Sequence, residues 1–187
     1  GSSNTAVGYV AMSDNTTGSR NVAVGGGLSS TYGALKNNTT GSYNVALGYS
    51  ALFSNTTADS NTAVGNQALS LNDTGSNNTA IGSEALKVNI EGNNNTAVGQ
   101  GALLASTSGA QNVAVGRNSL TILDTGTYNT AIGYNSGTTL TTGSNNTLIG
   151  NAAQVSSPDV SNEVTIGSDA VTVTRLKGVV KMQDNAI

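Results

Sequence analysis

Ten carboxylates and six tyrosines are the side chains through which this 187-residue sequence could do chemistry, because it contains no His and no Cys. That removes histidine-assisted nucleophiles, cysteine nucleophiles and thiolate or imidazole metal sites together. No Gly-x-Ser-x-Gly elbow or phosphate loop is present. The run Gly25-Gly26-Gly27 leads into no helix-forming segment, so it is not a dinucleotide loop. What remains is hydrolysis by paired carboxylates. The acids are Asp14, Asp59, Asp73, Asp124, Asp159, Asp169, Asp184, Glu84, Glu91 and Glu163, and they are scattered over different positions of a repeat. Asp73 and Asp124 share one position but stand three repeats apart, roughly 14 Å if the repeats stack as strands do, too far for a carboxylate pair. Only a site shared between chains escapes this exclusion. No catalytic residue, no metal ligand and no cofactor is therefore assigned, and the acids read as solvated charge.

Two further sets are suited to binding. Tyr9, Tyr49 and Tyr134 each follow a repeated glycine, and Tyr43 and Tyr128 precede the same motif, so Tyr43/Tyr49 and Tyr128/Tyr134 bracket two equivalent segments. Exposed tyrosines stack on sugars; the plainer reading is that each covers the neighbouring turn. Thr17, Thr40, Thr57, Thr74, Thr125 and Thr142 form a second array, interrupted by Glu91 and Ser108. Such a flat array suits ice, and a repeated outer Thr/Asn/Tyr column suits polysaccharide or matrix, although Thr is also common in turns for its local hydrogen bonds.

The element that positions all of these is the motif Asn-[Thr/Val]-Ala-[Val/Ile/Leu]-Gly. Its glycines are Gly8, Gly25, Gly48, Gly65, Gly82, Gly99, Gly116, Gly133, Gly150 and Gly167, spaced by 17, then 23, then 17 throughout. Three and four residues after the glycine comes a small-then-large pair, as in Ala51-Leu52 and Ala85-Leu86. Ten residues after it comes a second glycine, as at Gly41 and Gly75. The 23-residue step fits a six-residue insertion near residues 26–31 that bulges out without shifting later repeats.

Seventeen residues holding two glycines leave no room for an ordinary helix. β-branched residues bracketed by Gly and Asn read as short strands. The expected fold is all-β, a parallel β-roll or β-solenoid of about ten 17-residue coils over residues 1–167. Each coil is expected to run strand, turn, short strand, turn, and the rod to be roughly 50 Å long. Alternation along the first strand puts Asn4, Ala6 and Gly8 on one face and Thr5 and Val7 on the other. Ala suits a thin interior, so the opposite apolar face is a long stripe that a monomer would expose. A homo-oligomer, three chains about one axis, would bury it.

With 9% charged residues, a net charge of −3 and no basic cluster before the last residues, nucleic acid is not an expected partner. No apolar run approaches the roughly 18 residues of a membrane span, so no membrane contact is expected in this segment. The Asn-x-Thr/Ser sequons at Asn15, Asn38, Asn55, Asn77, Asn94 and Asn145 arise from the repeat and read as turn residues whose amides can ladder from coil to coil.

At Asn77-Asn78-Thr79-Ala80-Ile81-Gly82 and Asn162-Glu163-Val164-Thr165-Ile166-Gly167 the chain resembles the head repeat of YadA-like trimeric autotransporter adhesins. It is equally similar to the Asn-Thr-Ala-Ile-Gly arrays of phage tail fibres, which often precede an endosialidase-type intramolecular chaperone. The resemblance covers residues 4–167. It implies a left-handed β-roll, a homotrimer, and a non-catalytic attachment segment of an extracellular fibre on a virion or bacterial surface, with a cell-surface glycan or protein receptor. Residues 168–187 leave the pattern and read as connector strands toward a further module.

Overall fold

The computed structural model describes residues 1–27 and 31–172. It is built from ten three-residue strands: β1 Thr5–Val7, β2 Val22–Val24, β3 Val45–Leu47, β4 Thr62–Val64, β5 Thr79–Ile81, β6 Thr96–Val98, β7 Val113–Val115, β8 Thr130–Ile132, β9 Thr147–Ile149 and β10 Val164–Ile166. All ten lie in one parallel sheet in sequence order, one strand per coil, so the chain is a β-solenoid with a 17-residue repeat. No helix occurs among the described residues.

Register is uniform. Thr62, Ala63 and Val64 stand opposite Thr79, Ala80 and Ile81. The insertion leaves this intact, since Val22, Ala23 and Val24 stand opposite Val45, Ala46 and Leu47 across the 23-residue step. Residues 28–30 of the insertion and the connector expected beyond residue 172 lie outside the described residues.

The central strand residue points inward, and from Ala23 to Ala131 every one is a fully buried Ala. The opposing wall is the Ala–Leu pair, Ala34-Leu35 through Ala102-Leu103, also fully buried. Ala is required because the two walls of one thin coil sit almost in contact; a larger residue fits only where the other wall gives way. That exchange occurs once. Leu148 takes an Ala position in β9, and Gly137 takes the Leu position facing it: a Cβ there would stand 2.9 Å from Leu148 Cδ1 and 2.6 Å from Leu120 Cδ2.

The expected second strand is not formed. The Ala–Leu pair belongs to a run of turns, because each Leu is left-handed, with φ of 51–53° at Leu35, Leu52, Leu69, Leu86, Leu103 and Leu120. A bulky residue there costs roughly 1–2 kcal/mol. Two gains offset it: the Leu side chain is buried, and its N–H donates to the next coil's Ala carbonyl, Leu52 to Ala68 and Leu69 to Ala85, both at 3.0 Å. The coil therefore closes with one strand and a hydrogen-bonded but non-extended return.

Two asparagine ladders bind coil to coil. The motif Asn is fully buried and grips the next coil at two points: Asn61 Oδ1 accepts from the Asn78 backbone N–H at 3.0 Å, and Asn61 Nδ2 donates to the Gly75 carbonyl at 2.8 Å. The same clamp recurs from Asn21 to Asn146. The second ladder is amide to amide, from Asn38 to Asn15, Asn55 to Asn38, Asn72 to Asn55 and Asn89 to Asn72. This laddering agrees with the structural reading of the sequons at Asn15, Asn38 and Asn55, of which Asn38 and Asn55 are fully buried; the Asn77 and Asn94 side chains have no partner among the described residues.

The motif glycines are required twice over. At Gly82, φ is +133°, and a Cβ would lie 2.6 Å from both the carbonyl carbon and oxygen of Gly99 in the next coil. Backbone stacks on backbone there.

Candidate binding surfaces

The outward strand residues make two parallel columns. One alternates Thr and Val, from Thr5 to Val164, and the other carries Val, Ile or Leu from Val7 to Ile166. Exposure varies along the apolar column in the single chain: Leu47 is 45% exposed, Ile81 41%, Ile132 42% and Ile149 40%, while Val24, Val64, Val98 and Val115 are half-buried. Nine inter-coil steps of about 4.8 Å carry this apolar stripe some 43 Å along the rod.

The five sequence-predicted tyrosines do not converge on one site. The Tyr43/Tyr49 and Tyr128/Tyr134 pairs bracket β3 and β8, five coils and about 24 Å apart. Tyr9, Tyr43, Tyr128 and Tyr134 are exposed, whereas Tyr49 is half-buried. Two of the exposed rings already carry a cation from the preceding coil. The Arg20 guanidinium lies 5.2 Å from the Tyr43 centroid and donates to its hydroxyl, and Arg117 lies 5.8 Å from the Tyr134 centroid. Such pairs are worth about 0.5–1 kcal/mol at a surface and support the reading in which a tyrosine covers its neighbouring coil.

The threonines divide into two columns with different duties. Thr16, Thr39 and Thr141 donate their hydroxyls to carbonyls one coil on, and Thr56 and Thr107 donate to Asp73 and Asp124. The adjacent column, Thr17, Thr40, Thr57, Thr74, Thr125 and Thr142, is exposed, and its hydroxyls find no partner among the described residues.

Among the described residues no three of His, Cys, Asp or Glu lie together as a metal-binding group. The carboxylates whose pKa moves all move down. The Lys36 ammonium, 2.9 Å away, and the Ser13 hydroxyl hold Asp14 below its usual value; Ser157 does the same for Asp159, and Ser156 with Thr165 for Glu163. A downward shift keeps a carboxylate ionised, the opposite of what a general acid needs.

One concave site was not foreseen. Tyr32, immediately after the insertion, packs its ring 5.7 Å from Tyr49 and 5.8 Å from Phe53. Beside this cluster lies a pocket of about 280 Å³ spanning four successive coils, lined by Tyr32, Ser50, Phe53, Gln67, Ser70, Leu71 and Lys87. Ser50 is 3% exposed, and its hydroxyl has no partner among the described residues. The signal in the sequence was faint: the single Phe, one repeat away from an insertion followed by Tyr.

Compared with protein-family models, with curated proteins and with solved structures, the chain matches none. The resemblance to fibre repeats thus stands on the motif residues alone.

Proposed function

We propose that this chain is a structural and attachment segment of a homotrimeric extracellular fibre, of the phage tail-fibre or bacterial adhesin kind, and carries no reaction. The observation behind this reading is the outward apolar stripe. A monomer with an unbroken apolar band some 43 Å long would aggregate, since soluble chains avoid contiguous apolar patches of that size. Further copies of the chain supply a surface of the same length, repeat and chemistry, and three copies follow the motif's resemblance to trimeric fibre repeats. Rigidity comes from the continuous strand ladder and the two Asn ladders, and three-fold presentation of one receptor site adds avidity.

Native mass spectrometry with light scattering tests this directly. The expected particle has three times the 18.5 kDa chain mass, and Ile81→Lys with Ile132→Lys, placing charge in the stripe, is expected to yield monomers. A stable, soluble wild-type monomer would sink the proposal. A second reading, a solenoid that binds polysaccharide, matrix or ice through a repeated outer Thr/Asn/Tyr column, is favoured by the exposed, unpartnered threonines. It expects thermal hysteresis or polysaccharide pull-down that Thr57→Val with Thr74→Val alters.

A further inference from the structure

We infer that the pocket beside the insertion is a binding site for one neutral sugar ring. Three features of its lining select that chemistry. Tyr32 and Phe53 supply aromatic surface for the C–H face of a pyranose. The Ser70 hydroxyl and the Gln67 amide each both donate and accept, and neither has a side-chain partner among the described residues. Sugar hydroxyls likewise do both. Lys87, the pocket's cation, is already paired with Glu84 at 2.8 Å, so the lining holds no uncompensated charge to recruit an anion.

The Gln67 amide separates a sugar from a purely apolar occupant. A polar group desolvated without a partner is destabilising, and an apolar ligand would leave the half-buried Gln67 amide in that state. A ligand hydroxyl would satisfy it, whereas the Ser50 hydroxyl is sealed within the wall. The volume, about 280 Å³, falls just under the 300–1,000 Å³ common for drug-sized ligands, which suits a single ring. The lining comes from the turn and return side of the coils and not from the outward strand columns, so the site lies within one chain and does not rest on the trimer.

The experiment is saturation-transfer NMR on the full chain with the methyl glycosides of glucose, galactose, mannose and N-acetylglucosamine, and with glucuronate as the acidic arm. At least one neutral glycoside is expected to receive transfer, with a millimolar dissociation constant. Gln67→Ala is expected to weaken it about tenfold, the value of one hydrogen bond to an otherwise unpaired group. That variant should fold, because Ala152 occupies the equivalent backbone position with φ of 52° against 54° at Gln67. Tyr32→Ala, next to the insertion, is expected to abolish transfer, with its thermal melt confirming the fold. The Ile81→Lys, Ile132→Lys chain is expected to bind as wild type does. No transfer from any neutral glycoside, equal affinity in Gln67→Ala, preference for glucuronate, or loss of binding in the charged-stripe variant would each overturn the assignment.

Discussion

Asn95→Ala removes one rung of the motif ladder, and the structure allows its cost to be worked out. Asn95 Nδ2 donates to the Gly109 carbonyl at 2.7 Å, and its Oδ1 accepts from the Asn112 backbone N–H at 3.0 Å. Truncation strands both of those backbone groups, and both residues are buried. A buried polar group left unpaired costs about 1–3 kcal/mol, so two give about 2–6 kcal/mol. Asn94→Gly is the matched control. Asn94 is exposed, its side chain has no partner among the described residues, and its φ of 59° suits glycine, so a change within about 0.5 kcal/mol is expected. Urea unfolding followed by far-UV circular dichroism gives the stabilities. Hydrogen exchange places the loss, expected at β6 and β7 first because coils couple mainly to their neighbours. A cost for Asn95→Ala below about 1 kcal/mol, or equal to that of Asn94→Gly, would refute the clamp as a source of stability.

Gly82→Ala is expected to lose about 3 kcal/mol or more, since φ strain adds to a Cβ placed 2.6 Å from the Gly99 backbone; a wild-type melting temperature would contradict this. Gly137→Leu alone overpacks against Leu120 and Leu148 and is expected to cost about 1–3 kcal/mol, while Leu148→Ala alone leaves a cavity costing about 2–5 kcal/mol. The double variant recreates the Leu–Ala pairing of earlier coils, so it is expected to be more stable than the sum predicts by at least about 1 kcal/mol; additivity in a double-mutant cycle would refute the size exchange. Asp14, Asp159 and Glu163 have folded pKa values below their unfolded ones. Their small stabilising contributions are therefore complete above the unfolded values and vanish as pH falls through the folded ones. With no His in the chain, melting temperature is expected to stay flat from about pH 8 to about pH 5 and to decline only in acid; a transition near neutrality would contradict this.

Periodicity made the sheet legible because each column keeps its residue type. The Ala column announced a thin interior, the Val/Ile/Leu column an outward stripe, and the unbroken phase after the insertion announced the register seen at Val22 and Val45. The return half of the coil was not legible. Nothing about leucine signals a positive φ, so Ala51-Leu52 reads as a strand; the left-handed turn emerges only when the next coil offers Leu52 N–H the Ala68 carbonyl. The two threonine columns look alike in sequence and separate only by which hydroxyls reach a carbonyl. The pocket was hidden for the same reason. It depends on where an insertion lays Tyr32, and no periodic signal carries that.

The changing composition of the second ladder suggests why the insertion sits where it does. That column reads Asn15, Asn38, Asn55, Asn72, Asn89 and then Ser106, Leu123 and Leu140, so the early coils carry two amide ladders and the later coils one. Stacked leucines accept small slips in alignment, whereas an amide ladder breaks if its partner moves by one residue, because donor and acceptor then pass out of hydrogen-bond reach. The 23-residue step falls between Asn15 and Asn38, and both ladders continue across it: Asn38 Nδ2 donates to Asn15 Oδ1 at 2.8 Å, and the Asn44 N–H donates to Asn21 Oδ1 at 2.9 Å. A six-residue bulge is thus held where the register is pinned twice. The apolar stripe passes it unshifted, Val24 opposite Leu47, and the loop is left to set Tyr32 against Phe53.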